Sequence, residues 1–325
     1  MTINQLLKEK FPIKNAIEDL KRLTDDPSQL GNFMKNEEIP VFILTYNHSR
    51  ANIPPADTFR NICRVVFVCS TDDPYLDAFR SEIKEGEQIL VFDKSDYLGD
   101  ITRNGDDFGL TPPYNQCGCF ARRFIDEHTQ RNNIKRYIVT DNDLKFGIRK
   151  YDGKRYTMTD DDLLAAVKTY FYILDKYTDH FSFLNCATIC GEFGGKIYRE
   201  GFDTSNFMVY FHDKPVNWRS RFHDDWLTVF LTLRDTGKMA FSFPYLRAEF
   251  ANKGEHGDME QAYDELKKTE KNKFARYDRY FFPEFEDEIE RTGKVKRSSI
   301  IKRYLKNQRE IKEKLKGKTR PYPLG

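Results

Sequence analysis

The chain has 325 residues, of which 39% are hydrophobic, 14% aromatic and 32% charged, a length that can bury a core and a composition that excludes wholesale disorder. It lacks the apolar stretch of a signal peptide and any run long enough to span a bilayer, so we expect a soluble cytoplasmic protein without a membrane span. The net charge is only +2, and six cysteines without a CxxC pair exclude a zinc knuckle and favour reduced, buried thiols.

The first half of the chain alternates short apolar runs with segments of helical pattern. A polar helix is predicted over residues 3–23, and strands are predicted over residues 41–44, 64–69, 88–92 and 136–140. The intervals leave room for helices, one of them over residues 116–130. This βαβ rhythm predicts an α/β fold with a mainly parallel sheet flanked by helices.

The second half continues the alternation and ends in helical segments. Helices are predicted over residues 160–177 and 226–236, and strands over residues 206–211 and 239–243. Residues 258–279 and 298–316 have helical patterns. We therefore divide the chain into an N-terminal helical segment (1–37), a catalytic domain (38–256) and a basic, helical C-terminal extension (257–325).

An acidic motif, Asp141-Asn142-Asp143, follows the fourth predicted strand directly. Open α/β sheets bind ligands at the carboxyl ends of their strands, and carboxylates one residue apart can offer oxygen ligands to a divalent cation that also binds phosphate. The alternative is an Asp-rich loop that caps the next element. The position at a strand end favours a metal and diphosphate site.

Three segments in this order resemble GT-A glycosyltransferases: the first strand and its loop, VFILTYNHSR (41–50), the helix containing CFARR (119–123), and the DxD motif. The resemblance implies a GT-A, Rossmann-like fold, a Mn²⁺ or Mg²⁺ ion, and a nucleotide-sugar donor such as a UDP-sugar. It assigns donor binding to Thr45, Tyr46, Asn47, Arg50, Asp93, Lys94, Arg122, Asn142, Glu192 and Lys253. It assigns the metal to Asp141, Asp143 and His256. Asp93-Lys94, Glu192 and His256 could equally belong to ordinary loops.

A second acidic pair, Asp224-Asp225, precedes a predicted helix and resembles the carboxylates that many GT-A enzymes present to the acceptor. In an inverting enzyme one of them would act as the general base that accepts the proton of the acceptor hydroxyl. The alternative is a helix N-cap, for which Asp is well suited. The sequence does not choose between Asp224 and Asp225.

The acceptor is suggested by a softer resemblance and by charge. Within GT-A proteins the chain is similar to the glycosyltransferases of modified DNA bases, including bacteriophage relatives, which implies hydroxymethylated pyrimidine in DNA as acceptor. Residues 291–320 carry a local charge of +11, so the remainder carries −9. The basic residues expected to contact DNA phosphates are Lys294, Lys296, Arg297, Lys302, Arg303, Lys306 and Arg309. Two alternatives remain: a polysaccharide or protein acceptor with the tail on acidic lipids, and a non-catalytic nucleic-acid-binding protein.

Overall fold

The computed structural model describes residues 3–97, 118–149, 155–189, 207–211, 224–250 and 278–307. The strands are β1 Pro40–Leu44, β2 Arg64–Ser70, β3 Gln88–Phe92, β4 Arg136–Asp141, β5 Leu144–Arg149, β6 Arg155–Tyr156, β7 Phe181–Ile189, β8 Phe207–Phe211 and β9 Met239–Phe250. The helices are α1 Ile3–Lys10, α2 Ile13–Asp25, α3 Pro54–Phe59, α4 Leu76–Glu82, α5 Gly118–Arg131, α6 Asp160–Lys176, α7 Asp224–Thr236, α8 Glu286–Thr292 and α9 Arg297–Lys306.

All nine strands belong to one sheet, in the order β3-β2-β1-β4-β8-β7-β9-β5-β6. Strands β3, β2, β1 and β4 are mutually parallel, β8 is antiparallel to its neighbours β4 and β7, and β9 is parallel to β7. Strand β5 is antiparallel to β9, and β6 is antiparallel to β5, so seven of the nine described strands run in one direction. The predicted fold class, a mixed and mainly parallel Rossmann-like sheet flanked by helices, is confirmed.

The order of the first four strands creates a switch in the direction of chain winding. From β1 the chain moves outward through β2 to β3, and then returns by α5 to β4 on the other side of β1. Helices after β1 and β2 lie on one face of the sheet, and α5 lies on the opposite face. Such a reversal leaves a crevice between β1 and β4 at their carboxyl ends.

Both faces of the sheet are covered because both sets of alternating strand residues are apolar. In β1, Val41 and Ile43 face the larger cluster with the helices after β1 and β2, whereas Phe42 and Leu44 face α5. Strands buried on both faces read as continuous apolar runs, as these do. The four described cysteines, Cys63, Cys69, Cys119 and Cys186, are buried and unoxidised, as predicted.

The structure differs from the predicted elements in three ways. The helix predicted over residues 3–23 is two helices, because Pro12, which has no N–H, lies between α1 and α2. Strands β5, β6 and β7 were not predicted; for β5 the reason is that LKFGIR is short and carries two cations. Strand β9 extends to Phe250, well beyond residue 243, past an irregularity in its pairing with β7.

The terminal helices pack onto the sheet domain. Helix α1 contacts α9, α9 contacts α7, and α2 contacts α6, and all share one hydrophobic cluster with the sheet. The three-part division of the chain stays a prediction, but its outer parts contribute to a common core. No helix within the described ranges is long and apolar enough to cross a membrane.

Candidate functional site

The first-strand loop and the acidic motif meet at the switch point. Leu44, the last residue of β1, is the register partner of Asp141, the last residue of β4. The loop beginning at Thr45 and the Asp141-Asn142-Asp143 turn therefore leave the same edge of the sheet side by side. Two segments almost a hundred residues apart form one site, at the place where the winding of the sheet predicts a ligand crevice.

Thr45 lies at the floor of this crevice. Its backbone N–H donates to the Val68 carbonyl at 3.2 Å, which extends the contact of β1 with β2 by one residue. The side chain is 7% exposed, and among the described residues the Thr45 Oγ1 atom has no hydrogen-bond partner. A buried hydroxyl without a partner is costly, so this atom is suited to bind a polar ligand.

The loop after Thr45 is held by the loop that follows β2. Asn47 has a left-handed backbone (φ +55°), and its N–H donates to Asp73 Oδ1 at 3.0 Å. The same Asp73 oxygen accepts from the Tyr75 N–H at 2.9 Å. Asp73 was not among the predicted site residues, although the Asp72-Asp73 pair one residue beyond the end of β2 was a signal in the sequence. Asp73 therefore fixes the backbone at Asn47, the residue after Tyr46.

Lys94 links the loops after β1, β2 and β3. Its Nζ lies 2.9 Å from Asp72 Oδ1 and 4.3 Å from the centre of the Tyr46 ring. Asp93 is exposed and accepts from the Ser95 N–H at 2.8 Å, and hydrogen bonding by Ser95 holds the pKa of Asp93 below its ordinary value. Asp93 thus has the contacts of an ordinary turn, whereas Lys94 packs on Tyr46, in the loop that follows β1.

Asp141 is anchored from α5, the helix that precedes its strand. Arg122 Nη2 donates to Asp141 Oδ1 at 2.8 Å, and the Arg122 side chain is almost fully buried. Gly118 gives the guanidinium its space, since a Cβ atom at this position would lie 2.6 Å from Arg122 Nη1. The ion pair fixes one carboxylate oxygen of Asp141.

Asp143 differs from Asp141 because no described cation pairs with it. Asn142 and Asp143 form the turn between β4 and β5, and both are partly buried. Burial raises the pKa of Asp143 above its ordinary value. Carboxylate and amide oxygens are the ligands that Mg²⁺ and Mn²⁺ accept in proteins, so the donor set fits such a cation. Within the described ranges, no group of three His, Cys, Asp or Glu side chains completes a metal site.

Two later strands end beside the acidic motif. Leu144, which follows Asp143, is the register partner of Phe250 at the end of β9, and Ile189 at the end of β7 pairs with Glu249. The predicted ligands Glu192, Lys253 and His256 lie outside the described residues, three to six positions beyond these strand ends. Their assignment stays a prediction.

The second acidic pair begins α7. Helix α7 packs against β9 and is joined to it by two residues, so helix and strand run in opposite directions. Because β9 starts at the amino edge of the parallel strands, Asp224 and Asp225 begin α7 toward the carboxyl edge, on the side of Asp141. Residues 212–223 lie outside the described ranges, so the roles of these two residues stay predictions.

Arg50 occupies a structural position. Its guanidinium is 2% exposed and donates to Glu87 at 2.9–3.0 Å and to Asp57 at 2.9 Å. Burial opposes the charge of Arg50, but the hydrogen bonds to Glu87 and Asp57 outweigh it and raise the pKa of Arg50. The Nε and Nη2 donors are directed at the protein's own carboxylates, while Nη1 is buried without a partner among the described residues. The contacts of Nε and Nη2 favour a structural role over the predicted contact with a nucleotide.

The basic residues near the C-terminus differ in exposure. Lys294, Lys296, Arg297, Lys302 and Lys306 are exposed. Arg303 instead donates to the Glu284 carbonyl and lies 4.9 Å from the Phe285 ring centre, while the Tyr304 hydroxyl bonds to Glu284. Arg309 lies outside the described residues. Arg303 and Tyr304 therefore attach α9 to the core, and the lysines face solvent.

Comparison with known proteins gave matches among solved structures only. No family model and no curated protein matches the sequence. Glucosyl-3-phosphoglycerate synthase from Mycobacterium tuberculosis, solved with Mn²⁺, UDP-glucose and phosphoglyceric acid, is similar with a TM-score of 0.42 and 10% identity, over 78% of this chain and 83% of that chain. A TM-score below 0.5 is too low to transfer a function from one chain to the other.

Proposed function

We propose that the chain is a metal-dependent glycosyltransferase of the GT-A type that uses a nucleotide-sugar donor. The proposal is carried by the register of Leu44 with Asp141, which brings the Thr45 loop and the DxD turn together at the switch point. A crevice at this place in an α/β sheet binds nucleotides in many folds. The sequence order of loop, helix and acidic turn supports the GT-A assignment over other nucleotide-binding classes.

Each residue near the switch point would have a separate role in donor binding. Thr45 and the Tyr46–Asn47 backbone would contact the nucleotide, and Arg122 would hold Asp141 in a fixed rotamer. Asp141 and Asp143, with Asn142 beside them and His256 from the segment after β9, would hold Mn²⁺ or Mg²⁺. When bound, the cation would neutralise charge on the diphosphate leaving group. A carboxylate of Asp224 or Asp225 would accept the proton of the attacking acceptor hydroxyl.

The proposed acceptor is the hydroxyl of a hydroxymethylated pyrimidine in DNA. It is supported by the exposed lysines at the C-terminal end of the chain and by the sequence resemblance to DNA-base glycosyltransferases. In the duplex such a hydroxyl lies in the major groove, where the enzyme could reach it directly or after flipping the base. Polysaccharide and protein acceptors are the competing substrates.

The test is a transfer assay with Mn²⁺, several nucleotide sugars, and either hydroxymethylated or unmodified DNA, read by mass spectrometry. We expect sugar on the modified DNA only. Asp141→Asn/Asp143→Asn should lower the transfer activity by about a hundredfold or more, because the cation loses two carboxylate ligands. Asp179→Asn is the matched control, because it makes the same chemical change at an exposed residue on the amino edge.

The outcomes separate the parts of the proposal. Donor hydrolysis without transfer to DNA would retain the glycosyltransferase and reject the DNA acceptor. If no nucleotide sugar were turned over, and none bound in a Mn²⁺-dependent manner, the glycosyltransferase proposal itself would be rejected and a non-catalytic protein would be favoured. An equal loss of activity in Asp179→Asn would show that the double variant acts through the fold.

A further inference from the structure

Two terminal helices expose lysines that no described ion pair uses. Helix α1 ends with Lys8 and Lys10, and α9 carries Lys302 and Lys306 one turn apart. All four are exposed, and the two helices pack against each other. We call these four residues the terminal lysine surface. Its four lysines thus lie on two helices that are in contact, one near each end of the chain.

Of the four acidic residues of α8, Glu286 and Glu288 are engaged, whereas Asp287 and Glu290 are exposed. Glu286 accepts from Arg279 at 2.7 Å, and Glu288 accepts from the Lys296 N–H and the Ser299 hydroxyl at 3.1 and 3.2 Å. Glu9 is the exposed acidic residue between the two α1 lysines. Residues 3–10 and 286–306 together contain nine Lys or Arg and five Asp or Glu, so the local net charge is +4, which attracts a polyanion.

The surface lies near the amino edge of the sheet. Phe11, directly after α1, contacts the ring of His180 just before β7, with ring centres 6.4 Å apart. Arg234, near the end of α7, donates to the Phe281 carbonyl at 2.9 Å in the segment that carries Glu284, to which α9 is attached. The acidic motif lies at the opposite edge, about 20 Å away along the six residues of β4.

The apolar side of α9 is already used by the core. Ile300, Ile301, Tyr304 and Leu305 are buried, so α9 has no apolar face to insert into a bilayer. Membrane-surface helices need such a face in addition to their lysines. Exposed lysines without it fit the phosphate backbone of a nucleic acid.

We propose that the terminal lysine surface binds the phosphates of duplex DNA at the edge opposite the acidic motif, and so tethers the acceptor instead of lining the reaction crevice. The choice of DNA rests on the proposed function. The contribution of α1 is new, because Lys8 and Lys10 lie almost three hundred residues from Lys302 and Lys306 in the sequence.

The experiment measures binding of a short unmodified duplex to the full chain as a function of salt. Lys8→Gln/Lys10→Gln and Lys302→Gln/Lys306→Gln should each reduce the slope of log K against log[salt] by about 2, since each neutralised phosphate contributes about 0.9. Lys35→Gln/Lys135→Gln is the matched control, with the same charge change at two other exposed lysines.

Several outcomes would overturn the inference: an unchanged slope in either lysine pair, an equal change in the control pair, or binding to anionic phosphatidylserine vesicles without binding to DNA. Donor hydrolysis on the same preparations reports the proposed function separately. If this surface bound DNA but no donor were turned over, the proposed glycosyltransferase activity would be rejected and the proposed DNA-binding surface would stand. If the donor were turned over but DNA did not bind, the proposed DNA-binding surface would be rejected and the glycosyltransferase activity would stand.

Discussion

Arg122 and Gly118 act as one unit at the start of α5. The guanidinium reaches Asp141 only because position 118 has no Cβ, which would otherwise lie 2.6 Å from Nη1. The guanidinium is the far end of a flexible side chain, so it can move aside at little cost to the fold. A substitution at Gly118 therefore changes the orientation of Asp141 without changing any charge.

We predict that Gly118→Ala weakens Mn²⁺ binding by about tenfold while leaving the free energy of unfolding unchanged or slightly higher. The added methyl displaces Arg122 from Asp141, a loss of the size seen when an outer partner of a metal ligand is removed. Alanine is at the same time a better helix former than glycine. Calorimetric Mn²⁺ titration and urea unfolding measure the two effects.

Gly147→Ala is the control for this prediction, because a Cβ there meets no atom within 4 Å. Arg122→Lys tests the same contact through charge, since lysine keeps the positive charge but lacks the planar fork. If Gly118→Ala bound Mn²⁺ as tightly as the wild type, Arg122 would not position a metal ligand.

Arg50 and Glu87 form the most buried ion pair among the described residues, with both side chains 2% exposed. Burial acts to raise the pKa of Glu87, but hydrogen bonds from Arg50 and from the Lys84 N–H outweigh it and lower that pKa. Removal of one partner leaves a buried charge unpaired, which typically costs 3–5 kcal/mol. The pair connects the loop after β1 with the start of β3.

We predict that Arg50→Met lowers the free energy of unfolding by about 3 kcal/mol and that Arg50→Met/Glu87→Gln recovers part of the loss. UDP affinity, measured where the variant is folded, should stay at the wild-type value. Urea unfolding and calorimetric UDP titration give the two numbers. A specific loss of UDP affinity with unchanged stability would restore the predicted nucleotide contact of Arg50.

Asp141 and Arg50 differ in how far their structural positions could be predicted from the sequence. Asp141 was predictable at a strand end because an apolar run stops there and two acids follow. Arg50 also follows a strand, but the sequence around an arginine does not show whether its side chain faces a ligand or the protein interior. Its partner Glu87 is 37 residues away, and no local pattern connects them.

Among the secondary-structure elements, α8 and α9 depend on one buried carboxylate. Asp278 accepts from the Val295 N–H at 2.7 Å in the link between these helices. The side chain is 7% exposed, and burial raises the pKa of Asp278 to about 6. The folded state therefore binds this proton more tightly than the unfolded state, whose carboxyl group has the ordinary pKa near 3.9.

This shift makes the contribution of Asp278 to stability favourable at low pH and unfavourable above about pH 6. The free energy of unfolding should fall as pH rises between about 4 and 6, because the folded chain must release a proton that the unfolded chain has already lost. Asp278→Asn, whose amide oxygen can accept the same hydrogen bond, should be more stable than the wild type near pH 8, by up to about 3 kcal/mol.

Urea unfolding of Asp278→Asn and the wild type near pH 8 and near pH 4 measures this difference, which should vanish at the lower pH. Asp287→Asn serves as the control, because Asp287 is exposed on α8. A stabilisation of the same size at both pH values would contradict the assigned proton.

Element boundaries followed from sequence where an apolar period was regular. Strand β3 over Gln88–Phe92 was predicted to the residue, and α6 to within one. Helix α6 also begins with a capping box between Thr159 and Asp162, which is a strong local signal for the start of a helix. In contrast, β5 depends on pairing with the end of β9 a hundred residues later, so its own residues could not reveal it.

At the scale of the whole molecule, the terminal helices complete the core. Helix α7 is buried along most of its length because the sheet covers one side and α9 contacts it on another. Leu7 of α1 and Ile300 of α9 belong to the same cluster as β7 and β9. The basic extension is therefore attached by apolar packing, a feature that its charge pattern conceals.

Because of this shared core, a cavity in α9 should destabilise the entire chain. Ile300 is 1% exposed, and Ile300→Ala should lower the free energy of unfolding by about 2–5 kcal/mol. The midpoints measured by far-ultraviolet circular dichroism and by tryptophan fluorescence should shift together, since α7, which carries Trp226, loses its cover. Ser298→Ala, at an exposed position of the same helix, should leave both midpoints in place. An early loss of ellipticity with an unmoved fluorescence midpoint would instead mean that the extension unfolds by itself.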